Sequence, residues 1–458
     1  MYRWVFLFWS SLSFFVSQIF IDQTAPLVGR LTGKAEACRN GDDPDCLDLT
    51  ATEFNSFYVV QYWVGGVAAL SSGFFLARYG VWTTSCTSGS LSFLGMLMFT
   101  LGPYLAASSS SYALMLVGRL IFALGIFTQV VLSHQIKSHW FLGKELALAF
   151  ALYNVSSRLG SVCALTAMGA IVQQMGLQRT LWITLAMGVL APVGAVLAGW
   201  TYKRHASASI DAAVYVDTNG IGHFGLRKVA QLGREFWTLS AMVFFFYGPL
   251  FTLIADYPKY LAERYQYDEA SAGEITGVVS DIAFFAPLLG LLIDKIGWRD
   301  VLNSMATALF FTGLLLPATV RNLQPVAIPV LLGLSYAVLL VGLWCSIPLV
   351  TAPADTGVAF GVSLGLQALS SGILLLVTGV LLDQTALDIA KRWENFFIFL
   401  ASIGGMAFLL SGLSLYYDRQ NPLRPLRMKH AISFITADAN SAVNESSLLL
   451  GLQEKDVQ

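Results

Sequence analysis

The sequence predicts an all-α membrane protein, with twelve transmembrane helices arranged as two six-helix bundles. Three observations lead there. Apolar residues (AVILMFWYC) make up 56% of the 458 residues and charged residues only 12%, too few to clothe a soluble chain of this length. The charges fall almost wholly between a dozen long apolar runs, each near the roughly 20 residues that cross a bilayer as a helix. No segment shows the short alternating pattern of barrel strands, so backbone groups in lipid must be satisfied within helices.

The spans lie near 4–22, 54–77, 84–105, 112–133, 145–172, 179–202, 236–258, 272–293, 301–320, 326–347, 357–382 and 395–417. The first runs from Trp4 into Asp22-Gln23-Thr24 without a small-residue cleavage site, which marks a retained helix rather than a signal peptide. Loops after even-numbered spans carry Arg78; His134, Lys137, His139 and Lys144; Lys203, Arg204, Arg227, Lys228 and Arg234; and Lys295 with Arg299. The C-terminal segment adds Arg419, Arg424, Arg427 and Lys429, whereas the first loop on the opposite side is acidic, with Asp42, Asp43, Asp45, Asp48 and Glu53. Basic loops stay cytoplasmic, so both termini face the cytosol, as an even number of spans requires.

A polar stretch separates six spans from six. The predicted division is an N-terminal bundle at 1–202, a cytoplasmic linker at 203–235, a C-terminal bundle at 236–417 and a cytoplasmic tail at 418–458. Two bundles rocking about a midplane site is the architecture of many carriers. A motif repeats after spans two and eight. The later copy runs from Gly290 through Asp294, Lys295 and Gly297 to Arg299; the earlier runs from Gly73 through Ala77 and Arg78 to Gly80. This pattern resembles the signature of the major facilitator superfamily. A glycine lets the helix end pack closely and a second permits a tight turn. The carboxylate pairs with nearby basic groups or sits at a neighbouring helix N-terminus, shutting the cytoplasmic side in one state. Ala77 replaces the acid in the first half, so the full clamp belongs to Asp294.

Other segments are similar to one branch of that superfamily, the lysosomal dipeptide transporters. They are Trp140-Phe141-Leu142-Gly143-Lys144-Glu145-Leu146 running through Phe150 to Arg158-Leu159-Gly160-Ser161; Gly118-Arg119; Leu332-Gly333-Leu334-Ser335-Tyr336 with Leu343-Trp344; Leu382-Asp383; and Asp22 followed by Pro26. The resemblance implies facilitated export of dipeptides from a lysosome-like compartment by uniport, with Arg158 gripping the cargo. It also implies a glycosylated companion protein. One departure stands out: Phe127 occupies the place where the branch carries a glutamate in span four.

A charge near the bilayer centre must face water or a partner. Arg158 lies near the middle of span five and Asp281 near the middle of span eight. Arg158 on a central cavity would clamp a carboxylate, for which its planar fork is suited; Asp281 would hold the amine of a zwitterion. The alternative is a structural Arg–Asp pair that touches no cargo. Tyr153 and Asn154 flank Arg158, and Tyr336 falls in the matched segment of span ten, so these three are expected to line the cavity. Arg119, in a Gly-Arg segment that favours close helix packing, reads as structural. Asp22, Asp256 and Lys259, at span ends, read as solvated charges, with a luminal gate as the alternative.

The formal net charge of −1 carries no sign of nucleic-acid binding. Zinc-type cysteine spacing, a P-loop and a dinucleotide fingerprint are all missing, so no cofactor is expected. The visible residues also offer no nucleophile or acid–base set for an enzyme. Cys38 and Cys46 share the acidic non-cytoplasmic loop; they suit a disulfide in an oxidising lumen, the alternative being two free thiols. Glu445, Leu449 and Leu450 fit an acidic dileucine sorting signal on the cytosolic side. The expected location is the lysosomal or endosomal membrane, with the plasma membrane as alternative. Outside the spans the sequon Asn444-Glu445-Ser446 is cytosolic, so the luminal loops lack one. The expected partners are the lipid bilayer and a small zwitterionic solute, most simply a dipeptide. A carrier for another amino acid or organic anion, or a receptor-like member that does not transport, remains the alternative.

Overall fold

The structure, a computed structural model, describes residues 2–33, 38, 45–105, 108–205, 226–267, 269–320, 323–382, 388–422 and 424–427. Most of the predicted linker and the sorting signal at Glu445, Leu449 and Leu450 lie outside these residues, as do Asp383 and Lys429. Sixteen α-helices follow one another among the described residues: α1 (Tyr2–Asp22), α2 (Thr24–Leu31), α3 (Ala51–Leu101), α4 (Ser108–Phe141), α5 (Leu146–Cys163), α6 (Gly169–Met175), α7 (Leu177–Gly188) and α8 (Leu190–His205); then α9 (Leu226–Gln231), α10 (Arg234–Tyr265), α11 (Glu269–Ile282), α12 (Ala286–Ile296), α13 (Arg299–Thr319), α14 (Ala327–Ser346), α15 (Thr356–Leu382) and α16 (Ile389–Gln420). An isolated bridge between Thr32 and Asp48 is the one extended pairing among them.

Eleven stretches of the described residues are helical, long and apolar enough to cross a membrane. The twelfth segment is the second limb of α3, which continues past a kink at Gly80 (φ 75°, ψ 170°). Its Thr83, Thr84, Ser85, Thr87, Ser88, Ser90 and Ser92 make it less apolar; several of these hydroxyls bond back to carbonyls one turn earlier, which satisfies them inside the bundle. Three spans are broken helices. The fifth passes from α5 through a π turn at Ala164–Met168 into α6. The sixth combines α7 and α8, and the eighth combines α11 and α12 across a 3₁₀ turn at Ala283–Phe285 just before Pro287.

Helices of one half pack mainly on each other: α3 on α4, and α1 on α5 and α8; in the other half α13 on α16, and α10 on α15 and α16. Beside the packing of α14 on α5 and of α15 on α4, two crossings at the repeated motif join the halves, α3 with α15 and α5 with α12. The glycines of the repeated motif explain both. A Cβ on Gly73 would lie 2.9 Å from Val358 Cα on α15, and one on Gly290 would lie 2.9 Å from the Ala147 carbonyl oxygen on α5. The second glycine of each copy has positive φ, 75° at Gly80 and 73° at Gly297, a turn that side chains resist. The repeat therefore encodes two matching backbone contacts on the side of the basic loops.

On the opposite side Cys38 and Cys46 form a disulfide. Asp45 accepts a hydrogen bond from the Gln178 backbone at 3.1 Å, pinning the first loop to the start of α7. Arg119 is wholly buried. It donates to Gln61 Oε1 (3.0 Å), Thr24 Oγ1 (3.2 Å) and the Ile21 carbonyl (3.4 Å), and its guanidinium lies over the rings of Phe20 and Phe99. That is a structural tie between α1, α2, α3 and α4. Arg119→Met would strand Gln61 and Thr24 without their donor; it is expected to cost about 3 kcal/mol, read as a lower Tm of the purified protein.

Candidate functional site

The bundle centre is built on Arg158. It sits on α5 and is half-buried. Its Nη2 donates to the Tyr336 hydroxyl of α14 at 2.7 Å, and its guanidinium lies 5.5 Å from that ring's centroid. Tyr336 belongs to the other half, so this bond spans the two halves where α14 packs on α5. Nε of Arg158 has no hydrogen-bond partner. Asp22, Tyr62 and Tyr247 lie within electrostatic reach. Behind Tyr336, Tyr247 accepts a hydrogen bond from Trp344 Nε1 at 2.8 Å and meets the Tyr336 ring edge-on. A guanidinium with uncommitted donors, fixed by aromatic hydroxyls at bilayer depth, can accept a planar anion.

Asp22, a span-end charge in the sequence reading, is bonded into the bundle. It ends α1, yet it accepts hydrogen bonds from Ser161 Oγ at 2.5 Å and from Gln18 Nε2 at 2.8 Å. Ser161 is three residues beyond Arg158 on α5, so the acid and the guanidinium are held by one helix face. A helix-end position reads as solvated from sequence; only the packing of α1 on α5 draws it inward. Asp281, by contrast, is exposed on α11, and no ion pair joins it to Arg158 among the described residues. The structural Arg–Asp lock is therefore not formed. Tyr153 has no exposed surface, its ring stacked on Phe14 at 4.6 Å. Asn154 Nδ2 donates to the Phe150 carbonyl of its own helix. Of these three residues, only Tyr336 is bonded to Arg158 among the described residues. The Phe127 ring lies against Gly65, where an added Cβ would strike it, so a hydrocarbon wall occupies that part of α4.

A second charged contact between the halves lies at the start of α5. Asp294 ends α12, and its carboxylate accepts from the backbone N–H groups of Ala147 and Leu148, both at 3.0 Å. These are orphan donors in the first turn of α5, so the acid caps the helix and meets its positive dipole end. Arg299 Nη2 lies 3.6 Å from the same carboxylate. Gly290, Asp294 and Arg299 thus act together, whereas Lys295 and Arg78 are exposed outside the contact. His139 Nε2 adds a 3.2 Å contact to the Pro353 carbonyl of the other half.

His134 and Lys137, expected in a cytoplasmic loop, lie inside α4 and are buried. The helix continues to Phe141 because its inner face meets aromatic rings from α5, α14 and α15. Only the turn around Lys144 remains as loop, and Lys144 itself is exposed.

Comparison with known proteins follows the same lines. The Major Facilitator Superfamily profile matches residues 4–320. The human lysosomal dipeptide transporter MFSD1 is 27% identical over 74% of this chain and 73% of its own; the zebrafish (Danio rerio) protein of that name is 26% identical over 81% and 80%. Among solved structures, a bacterial homologue of the iron transporter ferroportin in an outward-facing state superposes with a TM-score of 0.70 at 12% identity, covering 91% of this chain and all of that one. The proton:xylose symporter XylE superposes with a TM-score of 0.67 at 14% identity, covering 93% and 98%.

The latch can be read from a native thiol. Cys345 is a free, buried cysteine within reach of Asp294 and Arg299. In a background lacking Cys86 and Cys163, Asp294→Asn should speed modification of Cys345 by a thiol reagent applied from the cytoplasmic side by about tenfold, the equivalent of about 1.4 kcal/mol of lost latch energy. An unchanged rate would show that the carboxylate does not hold the two halves shut.

Proposed function

The chain belongs to the Major Facilitator Superfamily, and from that premise we propose that it carries small zwitterions, specifically dipeptides, by alternating access and without obligatory ion coupling. The observation that carries this reading is the half-buried Arg158, bonded across the halves to Tyr336 and with Nε uncommitted. The cargo carboxylate takes the open face of the guanidinium and Asp22 receives its amine. The Arg158–Tyr336 bond exists only while the halves are close. Cargo competing for the guanidinium therefore loosens one side as the Asp294 latch loosens the other. The named relatives are dipeptide transporters, in accord with this assignment.

A second reading rests on Phe127. With a ring in place of the branch's glutamate, packed on Gly65, amine recognition falls to Asp22 or is lost, and the protein then carries an organic anion. One binding experiment separates the two. For a dipeptide carrier, free dipeptides raise the Tm and their N-acetylated forms do not; equal stabilisation by both forms favours the anion carrier. Arg158→Lys keeps charge but loses the fork, and its dipeptide affinity should fall by about tenfold or more. Asp22→Asn should weaken free dipeptides and leave N-acetylated ones unchanged.

We place the carrier in the lysosomal or endosomal membrane, moving cargo toward the cytosol, beside a glycosylated companion that shields luminal loops lacking sequons of their own. The relatives are named as lysosomal, and Glu445, Leu449 and Leu450 supply the sorting signal. Replacing those three by alanine should move the protein to the plasma membrane, seen by surface labelling of its luminal side.

A further inference from the structure

Lys137 has no exposed surface, and its Nζ has no hydrogen-bond partner. No carboxylate pairs with it among the described residues. It sits instead 3.2 Å from the centroid of the Tyr153 ring and 4.6 Å from that of Phe150. One turn earlier on α4, His134 bonds through Nδ1 to the Val130 carbonyl. The His134 ring meets Phe150 and Tyr153 of its own half and Trp344 and Phe360 of the other. A buried cation compensated only by ring faces is an expensive arrangement. An apolar side chain of similar length would pack there at lower cost.

The position of this cage gives it a use. Along α5, the Ala147 and Leu148 amides meet the Asp294 latch, Phe150 and Tyr153 wall the cage, and Arg158 follows. From Tyr153 to Arg158 is five residues, about 7.5 Å of helix rise. Lys137 therefore stands between the central guanidinium and the cytoplasmic exit. The rings around Lys137 belong to its own half; Trp344 and Phe360 of the opposite half cover His134 one turn away, so parting the halves at their cytoplasmic ends uncovers that stretch of α4.

We propose that Lys137 is a second carboxylate-binding station on the transport path. It is capped by aromatic rings while the cytoplasmic side is shut. It is uncovered when the latch opens, and it then takes the cargo carboxylate from Arg158 on the way to the cytosol. The station rests on the reading of the cargo as a carboxylate-bearing peptide.

The test compares wild type, Lys137→Met and Lys137→Arg in liposomes of known orientation, with a dipeptide presented from either face. K137M should keep a Tm at or above that of wild type, since it removes an unpaired buried charge. Its half-saturating concentration should stay within about twofold from the luminal face and rise about tenfold from the cytoplasmic face, the loss of one charge-assisted contact. K137R should restore most of that difference. Equal half-saturation of K137M and wild type from the cytoplasmic face overturns the proposal. A parallel loss on both faces does too, because a merely structural lysine would give that. If K137M does not purify intact, Lys137→Gln carries the same comparison; collapse of both neutral variants beside an intact K137R makes the charge a folding requirement and also overturns it. Failure of the parent reading looks different: Arg158→Gln would then leave luminal half-saturation unchanged whatever Lys137 does.

Discussion

Lipid offers no water to a charge, so each ionised group that this chain carries into the bilayer must be compensated by the chain itself. Four groups show four solutions. Arg119 donates to Gln61, Thr24 and a carbonyl, leaves Nε unbonded and lies over two rings; it is a tie within one half. Asp294 is held by two amides and a guanidinium from both halves; it is a tie between the halves. Arg158 is held by one tyrosine hydroxyl and keeps donors in reserve. Lys137 is held by rings alone. The less complete the compensation, the more a cargo group or water can change the energy of that state, and the closer the residue stands to function.

The same constraint makes the repeat meaningful. Beside the packing of α14 on α5 and of α15 on α4, two crossings at the repeated motif, α3 with α15 and α5 with α12, join the halves. Both depend on a glycine facing foreign backbone and on a second glycine turning the chain at positive φ. Only the second copy adds a carboxylate, so the latch is asymmetric: one crossing is held by backbone packing, the other by packing plus charge. The charged contact falls at the start of α5, the helix that also carries Arg158. Under the proposed mechanism gate and site share one helix, with Asp294 at its first turn and the guanidinium about three turns further on.

Much of this is legible in the chain. The apolar runs, the basic loops and the repeated Gly–Gly spacing follow from rules that act locally: hydrophobic length against bilayer thickness, charge against translocation, and φ against side-chain bulk. Arg158 is legible too, since a guanidinium in mid-span must turn toward water or a partner. Asp22 is not, because a charge at a helix end looks solvated until α1 is packed on α5. Lys137 and His134 mislead for the mirror reason: counted outward from the apolar run they fall in a loop, and only rings contributed by α5, α14 and α15 let the helix and its burial continue.

By itself, then, the sequence determined the class of the protein, its run of long apolar helices and the repeated glycines that meet the other half, because each is set by a segment's own composition and backbone freedom. The tertiary structure decided which charges meet. It joined Arg158 to Tyr336, turned Asp22 inward, left Asp281 exposed and enclosed Lys137 in rings. The reason is that partners for a buried charge come from helices far apart in the chain, and no local pattern records which faces those helices turn to one another.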